Sequence, residues 1–289
     1  MKKFKIKKMR ALNRSYGGDI GINVFLLLVG AFMALPFVYA ICSALKPLDE
    51  LWYFPPRFFV ENPTLKNFTE LFRLMSTSWV PFSRYIFNTV FISVVGTGGH
   101  VLVASLAAYA LSKIKFPGRG FMFKAVEYSL MYNAVAAGIA IFIILSALGW
   151  IDTYLAIIVP TLAGSLGLFL MKQFMDSNVP DQILEAAHID GAGEFRIWWQ
   201  IAMPLVKPAW LTLIILMFQS LWQTGASIYI QSEELKTFSY AISQVLAGGI
   251  VRTGAASAST VIMMSVPILV FVLSQSNVIE TMATSGMKD

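Results

Sequence analysis

The sequence has little charge for its length. Only 13% of its 289 residues are charged and 57% are hydrophobic, whereas a soluble globular domain usually carries about 25% charged residues. The charged residues also lie between long apolar runs instead of being spread along the chain. This distribution excludes an ordinary soluble protein of one or two domains and predicts a polytopic membrane protein.

Residues that could build a covalent or metal site are also scarce. Cys42 is the single cysteine, which excludes an intrachain disulfide and a cysteine metal site. His100 and His188 are too far apart in sequence to argue for a metal centre. Neither a phosphate loop of the form G-x-x-x-x-G-K-[ST] nor a cluster of nucleophile and base is present, so we expect neither an ATPase nor another enzyme.

Six stretches are long and apolar enough to cross the hydrocarbon core as helices, which takes about 20 residues each. Because a bilayer offers no partners to backbone polar groups, these segments must be helical. The sequence therefore predicts an all-α membrane protein in which Pro36, Pro160 and Pro267 kink their spans. A turn at Gly149–Asp152 would make the third and fourth spans a hairpin. The predicted spans are residues 20–45, 86–111, 121–147, 149–171, 206–230 and 257–279.

Basic residues are unevenly divided between the two sides that six spans define. The segment 1–19 holds many lysines and arginines against one acid, Asp19, and the 112–124 loop holds four basic residues and no acid. The positive-inside rule makes this side cytoplasmic. We predict a basic cytoplasmic N-terminus (1–19), a six-helix domain (20–279) and a cytoplasmic tail (280–289). The net charge of +6 then reflects orientation, so no nucleic-acid partner is expected.

The cytoplasmic loop between the fourth and fifth spans has a pattern of its own. Asp181 lies at the start of a short predicted helix, where a carboxylate suits the positive end of the helix dipole. Gly191 and Gly193 would end that helix, and Pro204 would set the start of the next one. The amphipathic character favours a helix that lies along the membrane surface and presents one end to a partner.

The spacing in this loop resembles the EAA signature of binding-protein-dependent ABC importer permeases. That signature is Glu-Ala-Ala, three residues, Gly, nine residues and Ile-x-Leu-Pro. Met203 stands where the signature has Leu, and Asp190-Gly191-Ala192 is typical of the carbohydrate-uptake branch, which includes permeases similar to those for maltose. The matching residues are Glu185, Ala186, Ala187, Gly191, Ile201 and Pro204.

The resemblance extends over residues 20–279. Further segments typical of the branch lie at 43–47, 62–68, 107–112 and 116–119. Two departures occur where solute could pass. The chain has Trp222-Gln223 where the family often has Trp-Asn, and its third span has Gly138-Ile139 where a proline is common.

The resemblance implies a type I ABC importer permease fold in a bacterial cell membrane. Two permease subunits would form the pathway, and we favour a heterodimer because that is the commoner case in this branch. Two cytoplasmic ATPase subunits would use ATP and Mg²⁺, an extracytoplasmic sugar-binding protein would deliver the solute, and this chain would bind no cofactor. The loop 173–205 would couple the permease to the ATPase.

Within that loop, the resemblance assigns roles to single residues. Glu185 would make a charge-assisted contact with the ATPase, Ala186 and Ala187 would permit close approach, and Gly191 would provide a sharp exit. Asp190 and Pro204 complete the coupling set.

Five residues inside the predicted spans are candidates for the solute pathway. Apart from Asp152 in the turn at the start of the fourth span, Glu127 is the single acid within a span, although it could lie at the interface. Asn133 could bond a sugar hydroxyl or join two helices. Gln219, Trp222 and Gln223 share a helix face by their spacing. Amides and an indole suit the hydroxyls and C–H face of a sugar, although the tryptophan could instead be an interfacial anchor.

Two other readings remain as alternatives. An ABC permease for an amino acid, peptide or phosphonate would share the EAA loop, but Asp190-Gly191-Ala192 and the first outer loop favour sugar. A secondary transporter would have inverted repeats or paired intramembrane charges, and only Glu127 speaks for it.

Overall fold

The computed structural model describes residues 16–76, 80–132, 134–225, 227–249 and 252–285. Within these ranges every regular element is helical, as predicted. A π-helical turn lies at Trp198–Ala202 and a 3₁₀ turn at Glu233–Leu235. The α-helices are α1 (Tyr16–Leu45), α2 (Leu48–Leu51), α3 (Lys66–Ser76), α4 (Phe82–Lys113), α5 (Arg119–Leu130), α6 (Ala134–Ala147), α7 (Leu155–Leu162), α8 (Ser165–Asn178), α9 (Asp181–Ile189), α10 (Glu194–Ile197), α11 (Met203–Leu205), α12 (Lys207–Trp222), α13 (Phe238–Leu246) and α14 (Thr253–Ser285).

The described part of the chain has fewer membrane-length helices than predicted. Four segments are long and apolar enough to span: Ile20–Leu45, Phe82–Lys113, Leu155–Asn178 and Thr253–Ser274. A fifth results if α12 is joined to Glu194–Leu205 across a bend of 82°. The all-α membrane class is confirmed, whereas the count of six and the cytoplasmic side of both termini stay predictions.

The third predicted span, 121–147, differs most from the expectation. It consists of two helices, α5 and α6, of 12 and 14 residues. At 1.5 Å per residue, α6 is about 21 Å long, which is less than the hydrocarbon thickness of about 30 Å. A hydropathy average gives no sign of a turn among apolar residues, so the sequence pattern missed this break. Asn133, at the junction, lies outside the described residues.

The fourth and fifth predicted spans have different ends from those expected. The predicted turn is present, since Gly149 and Asp152 have φ values of 68° and 62°. Asp152 then accepts hydrogen bonds from the amides of Gln231 and Ser232 at 2.9 and 2.8 Å. α12 ends at Trp222 instead of running to 230, and these bonds hold the end of the loop that follows it.

One imidazole joins α4 to the interrupted span formed by α7 and α8. The helix is broken at Ala163–Gly164, and the fully buried His100 bonds the carbonyl of Thr161 through Nδ1 at 2.9 Å. Its ring lies against the α8 backbone, where a Cβ added to Gly167 would be 2.0 Å from Nε2. Glycine at 167 therefore allows α4 and α8 to approach closely.

Among the residues that the structure describes, buried apolar side chains form three clusters. The largest joins α4, α8 and α12 to the loop that contains α9. A second lies at the opposite end of α4, where α3, α13 and the start of α14 meet, and a small third cluster joins α6 to α7. The most apolar stretch of α1 is 0% buried within this chain. Its side chains therefore face lipid or another subunit.

We expect Gly167→Ala to destabilise the protein by about 1–3 kcal/mol, because added volume in a filled site forces its neighbours to move. The imidazole is held by Thr161, which leaves the new methyl group no room. Gly120→Ala in α5 is the control, since nothing lies within 4 Å of its added Cβ. The midpoint of thermal unfolding in detergent is measured for both variants. Equal midpoints would contradict the close contact between Gly167 and the His100 ring.

Candidate functional site

The helix predicted in the loop after the fourth span is α9, Asp181–Ile189, and its end is sharply defined. Gly191 has φ of +81°, a conformation that favours glycine. The amide of Ala192 donates to Ala187 O and the amide of Gly191 donates to His188 O, both at 3.0 Å. This is a Schellman motif, which satisfies carbonyls that the helix end would leave unpaired.

The two faces of α9 have different surroundings. Leu184 and Ala187 are buried, with 5% and 8% exposure, in the largest core cluster. Glu185 and Ala186 are exposed on the other side, together with Ile189, which is 86% exposed. The small size of Ala187 therefore serves packing within this chain, whereas Glu185 and Ala186 are available to a partner.

A histidine and a carboxylate close the loop after α9. His188 Nδ1 bonds Leu184 O at 2.7 Å, and its Nε2 bonds Glu194 Oε1 at 2.9 Å. Both partners are acceptors, so the doubly protonated imidazolium satisfies both. The hydrogen bond from His188 to Glu194 raises the pKa of the histidine, and hydrogen bonds from Tyr109 and His188 lower the pKa of Glu194. Asp190 is exposed beside them.

The chain turns sharply between this loop and α12. The segment Glu194–Leu205 and α12 meet at an angle of 82°. Pro204 is exposed in the short helix α11, and Val206 interrupts the helix with φ −101° and ψ 24°. As predicted, Pro204 lies at the first positions of the next helix, α11, and a further helix, α12, begins at Lys207 with Pro208 in its first turn. Proline is tolerated there since the first amides have no helical acceptor.

Gln219 and Gln223 face a cleft of about 560 Å³ between α12 and α14. Its volume lies in the range of small-molecule sites. Ser239 and Thr260 add hydroxyl groups that sequence reasoning missed. Thr260 is a polar residue in an apolar span and could have been noticed, whereas nothing in the sequence marks Ser239. The remaining lining is apolar: Phe37, Ile215, Phe218, Met263, Met264, Pro267, Ile268, Val270 and Phe271.

Trp222 is placed differently from its two neighbours. Its side chain is 3% exposed, stacks on Phe218 with ring centroids 5.6 Å apart, and donates from Nε1 to Met263 O at 3.0 Å. Met263 lies four residues before Pro267, which has no amide proton to give to that carbonyl. The indole supplies the missing donor, so Trp222 fastens α12 to α14 at the proline.

The other pathway candidates are not brought to this cleft. Glu127 is exposed on α5, whereas the cleft is lined by α1, α12, α13 and α14. Asn133 lies outside the described residues. Among those residues no group of three or more histidine, cysteine, aspartate and glutamate side chains could hold a metal ion.

An all-helical fold with spanning helices, an exposed loop helix and a cleft that contains a few polar side chains is the architecture expected of a membrane transport subunit. Residues 19–283 match the family described as "Binding-protein-dependent transport system inner membrane component", and the chain belongs to that family. It is therefore an inner-membrane permease component and not an enzyme. Members of this family work with a permease partner, a separate ATPase and a binding protein.

Individual relatives agree with this assignment. The chain is 29% identical over 206 residues to the polygalacturonan/rhamnogalacturonan transport system permease protein YtcP of Bacillus subtilis, covering 71% of this chain and 69% of that protein. It is 25% identical to the inner membrane ABC transporter permease protein YcjP of Escherichia coli, covering 96% and 98%. It also resembles the sn-glycerol-3-phosphate permease UgpE of Yersinia enterocolitica at 29% identity, covering 71% and 73%.

A solved structure supports the fold. A chain in the crystal structure of a bacterial ABC transporter involved in the import of the acidic polysaccharide alginate superposes with a TM-score of 0.76. The match covers 92% of this chain and 99% of that chain at 21% identity. The likeness shows that the two share the type I permease fold.

We expect Trp222→Phe to destabilise the protein by about 1–3 kcal/mol, because it leaves the partly buried carbonyl of Met263 without a donor. Trp222→Ala should cost about 3–5 kcal/mol, since it also leaves a cavity. Thermal unfolding in detergent measures both. Phe218→Leu is a control that removes the stacked ring but keeps the indole bond. A Trp222→Phe variant as stable as wild type would show that the bond contributes nothing.

Proposed function

We propose that this chain is a permease subunit of an ATP-driven importer for a sugar or oligosaccharide. The observation that carries the proposal is α9. It bears the Glu185-Ala186-Ala187 pattern, ends at a left-handed Gly191, and presents Glu185 and Ala186 outward. An exposed helix of this kind suits insertion into a cleft of a partner, with Glu185 making a charge-assisted contact and Asp190 beside it.

A carbohydrate solute is supported by the cleft and by the relatives. The amides of Gln219 and Gln223 can donate to and accept from sugar hydroxyls. The hydroxyls of Ser239 and Thr260 donate to Gln223 O and Ala256 O, and each can still accept from a sugar hydroxyl. Phe37, Phe218 and Phe271 lie in the same lining and offer aromatic surface to the C–H face of a sugar ring. The name of YtcP specifies polygalacturonan and rhamnogalacturonan transport.

An uncharged solute fits the cleft better than an anionic one. Several similar proteins are named for anionic solutes, such as sn-glycerol-3-phosphate. However, the described residues that line this cleft carry no charge. An anion without a cationic partner would lose hydration with no compensation, so a charged solute would need its cations from the other permease subunit.

In the complete transporter we expect a heterodimer of permeases, two ATPase subunits and a sugar-binding protein. ATP and Mg²⁺ would be used by the ATPase pair. Nucleotide binding would close that pair, move α9 and its counterpart together, and turn the pathway outward. This is a two-state element biased by a ligand. Glu127 and Asn133 stay candidates for the pathway in that assembly.

Gly191→Val tests the coupling role. Valine at φ +81° is strained, because a β-branched residue rarely adopts the left-handed region. The end of α9 should shift, so we expect sugar uptake by the reconstituted transporter to fall at least about tenfold while the complex still assembles. Uptake and subunit composition are measured in the same proteoliposomes.

Gly193→Val is the matched control two residues away. Its φ is −75°, and nothing lies within 4 Å of the added Cβ, so we expect near-normal uptake. If Gly191→Val transports normally at normal membrane levels, this loop has no coupling role.

Gln219→Leu and Gln223→Leu test the cleft. Losing one neutral hydrogen bond costs about 0.5–1.5 kcal/mol, so sugar uptake should fall roughly 2- to 10-fold in each variant. Hydrolysis of ATP stimulated by the binding protein should persist, because neither residue lies in the α9 loop. Both activities are measured in reconstituted complexes.

Gln173→Leu provides the control, since Gln173 is an exposed glutamine of α8 that does not line the cleft. If both cleft variants retain wild-type uptake, the solute passes elsewhere, and Asn133 or the partner permease becomes the first place to look.

A further inference from the structure

The two ends of α9 are both fastened to the last turn of α4. At the first end, Lys113 Nζ donates to Asp181 Oδ1 at 2.8 Å and to Val179 O at 2.6 Å. The side chain of Lys113 is only 8% exposed, although that of Asp181 is 77% exposed. The ion pair therefore combines a surface carboxylate with a lysine whose stem is packed into the protein, and Lys113 also lowers the pKa of Asp181.

At the second end, Glu194 joins α4 to the exit of α9. Its carboxylate accepts from the hydroxyl of Tyr109 at 2.7 Å and from His188 Nε2 at 2.9 Å. Tyr109 is four residues before Lys113, so both lie on the same face of α4. One face of α4 thus holds the start of α9 directly and its exit through the Glu194 carboxylate.

The opposite end of α4 is fastened to the segment 234–238. Asn88 Nδ2 donates to Glu234 O and to Lys236 O, both at 2.8 Å. The amide of Phe238 donates to Thr89 Oγ1 at 2.8 Å. The next residue in the chain is Ser239, which lines the cleft.

α4 is well suited to connect these two ends. Its 32 residues span about 48 Å, and no proline occurs within it. It packs against α7, α8 and α12 along its length. A continuous helix fastened by side-chain bonds at both ends moves as one body more readily than the interrupted spans beside it.

We propose that Tyr109 and Glu194 are positioning residues that make α9 and α4 one moving body, so that a displacement of α9 by the ATPase reaches segment 234–238 and the cleft. This inference rests on the proposed coupling role of α9. Coupling is carried by α4 through the contacts above, and the break between α7 and α8 makes that span a poorer connection.

The test uses the complete reconstituted transporter. Glu194→Ala removes the acceptor for both Tyr109 and His188. Tyr109→Phe removes a single hydroxyl group, so it keeps the test valid if Glu194→Ala assembles poorly. Sugar transported per ATP hydrolysed should fall roughly 2- to 10-fold in each variant, as expected for the loss of a hydrogen bond that costs about 0.5–1.5 kcal/mol. Assembly with the ATPase and nucleotide affinity should be unchanged.

Glu194→Gln should restore coupling. Its amide oxygen can accept from Tyr109, and its NH₂ group can donate to the Nε2 of a neutral His188. Arg196→Ala is the matched control in the same segment. It breaks the exposed bond from Arg196 to Gln200 at 2.9 Å, which does not reach α4, and it should leave transport per ATP at the wild-type value.

A spectroscopic readout separates positioning from general damage. A spin label at Ser243→Cys on α13, in a Cys42→Ser background, reports on the far end of α4. A non-hydrolysable ATP analogue should shift its spectrum in the parent protein, in Glu194→Gln and in Arg196→Ala, and should shift it far less in Glu194→Ala and Tyr109→Phe. The proposal would be overturned if Glu194→Ala and Tyr109→Phe both kept wild-type transport per ATP and showed the full spectral shift.

Equal impairment of Glu194→Gln and Glu194→Ala would also overturn it, because the contacts and not the charge are claimed to matter. Gly191→Val distinguishes this failure from failure of the coupling role itself. If Gly191→Val lowers transport while Glu194→Ala does not, α9 couples without this connection. If Gly191→Val transports normally, α9 has no coupling role, and the positioning role inferred for Tyr109 and Glu194 is then also wrong.

Discussion

The structure depends on the pairing of backbone polar groups where water is excluded. Its spans are not uniform helices, and a proline inside one of them leaves a carbonyl that needs a donor. Pro267 cannot donate to Met263 O, and Trp222 of α12 does so instead. At the break between α7 and α8, Thr161 O accepts from the amide of Gly164 and also contacts His100 of α4. Side-chain bonds at the interruptions therefore also join the helices.

This arrangement gives α4 a central position. It is a long helix without proline, and its side chains reach the interrupted span through His100, the segment after α12 through Asn88, and the loop around α9 through Tyr109 and Lys113. Close approach is possible because glycines face it, as at Gly167. The same helix, α4, also connects the proposed coupling loop at one end to segment 234–238, beside the proposed solute cleft, at the other.

The two functional regions differ in how they are built. The α9 loop is a local structure, in which a Schellman end at Gly191 and the contact between His188 and Glu194 fix the backbone within a few residues. The cleft is assembled from four separate helices, so its shape depends on how α12 and α14 are held together. Trp222 contributes to that packing, and the neighbouring glutamines face the open space.

The sequence alone determined the all-helical membrane class through its long apolar runs and the position of α9 through local helix-ending chemistry. It indicated the family through the resemblance of one loop to a known signature. Tertiary structure decided the rest. The division of 121–147 into two helices, the inward face of Ala187 and the opposite environments of Trp222 and Gln223 depend on neighbours distant in sequence. An apolar run states only that a segment avoids water, and it does not state which helix, subunit or lipid it will contact.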